Sequence, residues 1–391
     1  MKLANDIHLG YCTNIHRGET WSETFQTLRD YTMAVRDRVS KDQPYGIGLR
    51  LGADAAAELA SPASLEEFRC WLADENSYVF TINGFPYGKF HGTRVKEQVY
   101  APDWTKPERL IYTNQLFDLI ADLAPEGEAG SVSTLPGSFK EFIEDDSQVD
   151  VICDNLIACS RYIEELRQRT GRDLHLGLEP EPLGMFETST ETVAFFEKLL
   201  KRSDEPSQIL QNIGVNYDTC HLAVEYEDAD DALGRLTDAG IRISKLHLSS
   251  ALSLKPNAAA LQRLSDFQED VYLHQVVIQQ ADGELRRYRD LDEALMMATD
   301  LPDDVGEEWR VHFHVPLHAE PLTPFGDTRE HLQGTLDVLA KQPDLCQHLE
   351  METYTWEVLP EEMRSVDVVD QLDNEYRWTL AEMAKRGLSA G

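Results

Sequence analysis

Four side chains far apart in the chain, Glu179, Asp218, His247 and Glu352, each stand at the end of a short apolar run. A carboxylate or imidazole in that position is costly unless it is paired or bound to a metal. Three carboxylates and one imidazole form a donor set for one divalent cation. The mixture of oxygen and nitrogen suits Mn, Zn, Fe or Co better than a purely oxygen-loving ion, though Mg stays in the set. Spacing alone selects no one metal.

The most informative stretch is Asn216–Tyr217–Asp218–Thr219–Cys220–His221. Asp218 ends a strand pattern, and His221, one turn later, faces either the same ligand or a substrate oxygen. The plainer alternative is that His221 caps the following helix or pairs with a nearby acid. Within residues 177–182, Glu179 ends the apolar run and is the expected ligand, while Glu181 either contacts substrate or is solvated. Glu350 and Glu352 are two apart, so in a strand both point to one side. The outermost, Glu352, is expected at the metal and Glu350 with the substrate.

Other candidates lie outside these strand ends. His312, His314 and His318 follow one another at alternate or near-alternate positions. Extended chain puts His312 and His314 on one face, where either binds substrate or a second metal, or where both form an exposed polar edge. His314, flanked by apolar residues, is the expected functional member. The segment 83–92 is rich in glycine and aromatics, as a rim loop is. It offers Asn83, Lys89 and His91 to an anionic or hydroxylated ligand. Asn14 and His16, after the first apolar run, are further pocket candidates.

Positioning these groups requires a scaffold that presents many strand ends at one mouth. Apolar runs at 7–13, 45–51, 78–83, 130–135, 174–179, 212–218, 242–249 and 347–353 read as eight strands. Helical patterns at 22–39, 64–74, 107–123, 147–170, 190–201, 228–239 and 361–386 alternate with most of them. The fourth strand is poor in β-formers. Eight alternations predict a (β/α)8 barrel with its chemistry at the carboxyl ends of the strands. The whole chain, 1–391, then reads as one domain. Between the seventh and eighth strands lies too much chain for one crossover, so 250–308 is expected to be a rim insertion. It should contain a hairpin of 275–280 and 285–288 turning at Ala281–Asp282–Gly283.

Lys and Arg total 36 against 70 Asp and Glu, a formal charge of −34. Such a surface repels phosphate backbones, which argues against a nucleic-acid partner. The six cysteines are scattered without a CxxC pair, as in a reducing, cytoplasmic compartment. Residues 1–10 carry no signal-peptide pattern, and no run approaches the roughly 20 apolar residues of a membrane span. A homo-oligomer stays open.

The order Glu, Asp-x-x-His, His, Glu at successive strand ends resembles the xylose isomerase-like TIM barrels, which include sugar epimerases, sugar-phosphate isomerases and endonuclease IV-type enzymes. The resemblance spans nearly the whole chain. It implies Glu179, Asp218, His247 and Glu352 as ligands of one divalent metal, with His221 beside them. It also implies isomerisation or epimerisation of a sugar-like hydroxy-carbonyl compound through an enediolate. Glu179 and Glu352 would then move the proton and His221 would orient a substrate oxygen. The endonuclease branch implies instead metal-assisted hydrolysis, against which the charge of −34 counts. Residues 10–16, the 83–92 loop and Met351–Glu352–Thr353–Tyr354–Thr355–Trp356 look like EboE-type metabolite traffic proteins. That likeness implies a setting in secondary metabolism, and leaves room for a barrel that binds or hands over a metabolite without turning it over.

Overall fold

The computed structural model describes residues 1–88, 96–358 and 366–389. Eight strands form one parallel sheet: β1 (His8–Tyr11), β2 (Tyr45–Arg50), β3 (Ser77–Asn83), β4 (Gly130–Thr134), β5 (Leu174–Leu178), β6 (Ile213–Asp218), β7 (Ile243–Leu248) and, last in the chain, β13 (His348–Met351). Their order is β1-β13-β7-β6-β5-β4-β3-β2, and a parallel bridge from Cys12 to Gly48 brings the two edges together into a nearly closed barrel. Helices cover the outside, so both faces of most strands are buried and the strands read as continuous apolar runs. Among the described residues, no helix is long and apolar enough to cross a membrane.

The weak fourth strand has a structural reason for its composition. Ser131 and Ser133 turn their hydroxyls inward, to Thr81 Oγ1 and Asn83 Oδ1, each at 2.7 Å. Small polar residues leave the barrel interior free for larger side chains from the opposite wall. The first expected helix is interrupted: Trp21–Thr27, closed at its start by a Thr20–Glu23 capping box, passes through a wider π-turn at Leu28–Thr32 into Met33–Val39. The terminal helix runs from Val368 to Ala384, capped by Asp367; positions 361–365 of the stretch expected to be helical lie outside the described residues.

Between β7 and β13 the chain builds a second, antiparallel sheet. Its strands are β8 (Ala251–Leu254), β9 (Val276–Gln279), β10 (Leu285–Tyr288), β11 (Glu308–His314) and β12 (Phe325–Asp327), ordered β10-β9-β11-β8-β12. The β9–β10 hairpin turns at Gly283, whose φ of 86° needs glycine. The sheet runs past residue 308, because β11 pairs with β9 on one side and β8 on the other. His312 and His314 therefore sit on a central, buried strand and not on an exposed edge. The helix Arg329–Lys341, which the strand–helix reading left unassigned, returns the chain to β13.

Register sets the floor of the barrel mouth. Asp218 is paired with His247, and His247 with Glu350, so three adjacent strands carry the three in one row. Below the row, Lys245 Nζ donates to Glu350 Oε2 at 2.5 Å and to Ser133 Oγ at 3.0 Å. Glu350 Oε1 packs so closely on β2 that a Cβ at Gly48 would lie 1.7 Å from it and 2.9 Å from Tyr11 O. From outside, Glu375 on the terminal helix holds the tip of β13, accepting from Thr353 Oγ1 at 2.7 Å and Leu317 N at 3.1 Å.

Two expected outcomes follow from this packing. Gly48→Ala should destabilise the chain by about 1–3 kcal/mol through overpacking, read as a lower midpoint of chemical unfolding. Gly234→Ala, where the new methyl meets nothing within 4 Å, serves as the control; equal midpoints would remove the close approach to Glu350. Burial pushes the Glu375 carboxyl from 4.5 up to about 7, against the lowering effect of its hydrogen bonds. A carboxyl whose pKa rises on folding stabilises most below its unfolded value, and that contribution is lost as pH climbs towards the folded value. Glu375→Gln should therefore lose less stability than the parent between pH 5 and pH 8. Identical pH slopes in the two proteins would refute this.

Candidate metal centre

His247 projects from β7 into the barrel mouth and is fully buried. Its Nε2 lies 3.2 Å from Glu350 Oε2, anchored from below by Lys245. Its Nδ1 faces three carboxylates at once: Glu179 Oε1 at 3.1 Å, Glu352 Oε2 at 3.1 Å and Asp218 Oδ2 at 3.5 Å. Glu179 comes from the end of β5, Asp218 from β6 and Glu352 from just past β13. These four residues each offer a donor atom within 4.8 Å of the others.

Asp218 has a double role that its position explains. As the last residue of β6 it is also the N-cap of the helix Thr219–Val224. Its Oδ1 accepts from Cys220 N at 2.7 Å, His221 N at 3.1 Å and Ser249 Oγ at 2.5 Å. The whole helix turn thus fixes the carboxylate and aims Oδ2, which is buried without a hydrogen bond, at the centre.

Electrostatics bind the cluster together. Burial works against the His247 imidazolium, yet the Glu352 and Glu179 carboxylates and Asp218 outweigh it and hold its pKa well above the usual value. Burial would likewise raise Glu179, Asp218 and Glu350. His247 reverses it at Glu179, the imidazoles of His221, His247 and His314 at Asp218, and Lys245 at Glu350. Glu181 behaves oppositely. Burial, with the nearby Glu179 charge, raises it well above the usual range, which favours its protonated form.

The donor set suits a divalent transition ion. Two donors about 2.0–2.1 Å from such an ion and at a tetrahedral angle lie about 3.4 Å apart. The separations of 3.1–3.5 Å around His247 Nδ1 match that spacing. An orphaned buried oxygen on Asp218 is a further mark of a missing positive partner.

Above the cluster opens a cleft of about 600 Å³, its mouth included. Glu179, Glu352, His221 and Glu181 form its base, and Phe85, Tyr100, Tyr272 and Tyr354 wall it. Asn83 lines it too, fixed by donation from Ser133 Oγ and to Cys12 Sγ. Asp218, His247 and Glu350 lie beneath the lining. Glu350, expected near substrate, is therefore part of the floor, because Lys245 and His247 take its carboxylate. His16 is not brought to the cleft: the short turn Thr13–Ile15 points Asn14 inward and sends His16 onto Tyr11 Oη at 2.8 Å and the Tyr31 ring. His314 stands behind His221, donating through Nδ1 to Glu352 O at 3.0 Å. Lys89 and His91 lie outside the described residues.

Several residues of the site were not read from the sequence. Lys245 was legible, since it stands two before His247 on the same strand face. Tyr100, Tyr272 and Gln275 come from irregular segments whose return to the mouth no local pattern announces.

No family model and no curated protein matches the chain. Solved structures do. An L-ribulose 3-epimerase aligns over 97% of this chain and 95% of its own, at 13% identity and a TM-score of 0.53. The D-psicose 3-epimerase of Clostridium cellulolyticum H10, solved with D-tagatose, aligns over 97% of this chain and 98% of its own, at 11% identity and a TM-score of 0.52. Identities this low speak for the fold alone, and that fold is a (β/α)8 barrel.

Proposed function

We propose that the chain moves a proton at a carbon next to a carbonyl, isomerising or epimerising a sugar-like small molecule with the help of one divalent metal. The observation that carries this reading is the meeting of Glu179 and Glu352 at one imidazole nitrogen, each at 3.1 Å, at the base of the cleft. In the sheet order, β13 lies on one side of β7, and β6 then β5 on the other. The two carboxylates thus approach from opposite sides, as removal of a proton from one face and its return to the other requires.

Glu179, Asp218, His247 and Glu352 would hold the cation. When bound, a divalent cation polarises a carbonyl and its neighbouring hydroxyl and makes the adjoining C–H more acidic. One carboxylate takes that proton, the electron pair spreads into the carbonyl as an enediolate, and a carboxylic acid returns the proton. His221 orients a substrate hydroxyl. Glu181, as a neutral acid, donates a hydrogen bond to a substrate oxygen, and the aromatic walls keep bulk water away.

Charge favours an unphosphorylated substrate. Among the described residues, Lys96 is the one Lys or Arg lining the cleft, and its ammonium is taken by Asp290. The epimerases of the same fold act on sugars by their names, in keeping with this reading. The likeness to EboE-type proteins at 10–16, 83–92 and 351–356 adds the setting we attach to it, a step in secondary metabolism.

In deuterium oxide, metal-loaded protein should place deuterium next to the carbonyl of at least one ketose or aldose in a panel followed by NMR. Glu179→Gln and Glu352→Gln should each slow that exchange by about 10²–10⁴-fold. Tight binding of a sugar without exchange would replace the enzyme by a metabolite-binding protein, and phosphodiester cleavage would replace it by a hydrolase. Asn14 Nδ2 donates to Glu352 Oε1 at 2.6 Å and so orients this carboxylate. Asn14→Ala should weaken cation affinity or exchange by about 10–100-fold, measured by competition with a chelating dye; unchanged values would remove Asn14 from the site.

A further inference from the structure

His312 lines the cleft but takes no part in the proton transfer. It stands on β11, the central strand of the second sheet, and its ring is edge-on to that of His221 at a centroid distance of 4.5 Å. The inserted chain itself holds it in place. Its backbone N–H donates to Gln275 O at 2.8 Å, and its carbonyl accepts from His274 Nδ1 at 3.2 Å.

The same neighbours decide which ring nitrogen carries the proton. Gln275 Nε2 donates to Pro182 O at 3.1 Å, a group that only accepts, so Gln275 presents Oε1 to the imidazole. His312 Nδ1 therefore donates to that oxygen at 2.8 Å, and Nε2 is left with a lone pair. Burial and the neighbouring imidazoles of His221 and His314 hold its pKa well below the usual value, which keeps the ring neutral. Among the described residues Nε2 has no partner, although His312 is only 4% exposed. An orphaned acceptor at that depth beside a cleft calls for a donor brought by the ligand. Glu181 Oε1, one residue before the Pro182 that Gln275 grips, is likewise without a partner.

We infer that His312 is a specificity-determining residue, whose Nε2 accepts a hydrogen bond from a substrate hydroxyl remote from the carbonyl. The inference rests on the proposed function and narrows its substrate to a polyhydroxy carbonyl compound in which that hydroxyl is free. With the proton held on Nδ1, Nε2 has nothing to offer a group that only accepts. A keto oxygen, an ether, a carboxylate or a phosphate at this position is therefore refused. His221, whose Nε2 is 3.9 Å from Asp218 Oδ2, orients the hydroxyl near the reacting carbon. His312, one ring further from the carboxylates, reads a later one. A buried group built to accept from a hydroxyl discriminates against the analogue lacking it, because that group is then left unpaired. The barrel thus supplies the chemistry, and the inserted sheet chooses the molecule on which it acts.

The test is a binding measurement, so it does not depend on turnover. Protein loaded with Mn²⁺ is titrated by calorimetry with the D-ketohexoses, and with analogues of each that lack one hydroxyl remote from the carbonyl. The parent should bind at least one ketohexose, and loss of one particular hydroxyl should weaken it by about 10–100-fold. His312→Asn keeps a donor at the Nδ1 position for Gln275 and removes Nε2. It should bind the sugar and that analogue equally, and His312→Gln, which carries an amide out to the Nε2 position, should restore part of the difference. Where His312→Asn fails to fold, His312→Phe takes its place with the same expectation. Discrimination that vanishes in the variant upholds the inference even if no deuterium is exchanged, a result that would remove the proton transfer alone. Discrimination that survives in the variant, or a parent indifferent to every remote hydroxyl, overturns the inference and leaves the proton transfer standing wherever exchange is seen. Binding of none of the sugars overturns both.

Discussion

Everything at the mouth of this barrel depends on an unbalanced buried charge. Four carboxyl groups, Glu179, Asp218, Glu350 and Glu352, surround two cationic groups, Lys245 and the His247 imidazolium, and all six are nearly or fully buried. Each ion removed from water costs several kcal/mol unless paired. Lys245 and His247 pair Glu350 well, but one imidazole nitrogen is left to serve three further carboxylates. The fold therefore carries a standing demand for positive charge at one point. The rest of the scaffold can be understood as keeping that demand in place.

Register is what keeps it there. The row Asp218, His247, Glu350 is fixed by hydrogen-bonded neighbours on three parallel strands, and a slip of one residue would turn each side chain into the helix layer. Gly48 lets Glu350 press against β2, and the inward serines of β4 leave room for Lys245. The helix turn after β6 locks Asp218 through its Oδ1, so that only Oδ2 faces the centre. Glu375 performs the corresponding task from outside, gripping Thr353 next to Glu352.

Much of this was legible because it is local. An apolar run ending in Glu or His marks a strand end, and the alternation of eight such runs with helical patterns marks the barrel. Asp218 with His221 is one helical turn, readable in six letters. Glu350 and Glu352 share a face for a reason visible in the sequence, but which of them faces the cleft depends on the neighbouring strand, where Lys245 claims Glu350. The phase of a single 3-10 turn decided between Asn14 and His16, and spacing does not reveal it. The π-turn at Leu28–Thr32 is a shift of the same small kind. The reach of the second sheet to Asp327 was hidden more deeply. β11 is central only because β8 and β9, up to about sixty residues earlier, close on both of its sides, and such pairings leave little trace in local pattern.

That second sheet divides the labour of the site. Barrel strands supply the charged base, whose geometry must be rigid, while Tyr272, Leu273, Gln275 and His312 come from the inserted chain and shape the cleft above it. The two parts are nevertheless tied at one place. His314 Nδ1 donates to the backbone carbonyl of Glu352, and Thr355 Oγ1 donates to His314 O at 2.5 Å. The strand that closes the barrel and the central strand of the insertion thus share hydrogen bonds at the very residue that faces His247 Nδ1. A change in the inserted sheet can alter what the cleft admits without touching the base, provided this tie is kept. A change that breaks the tie moves Glu352, and with it the balance of charge on which the whole mouth rests.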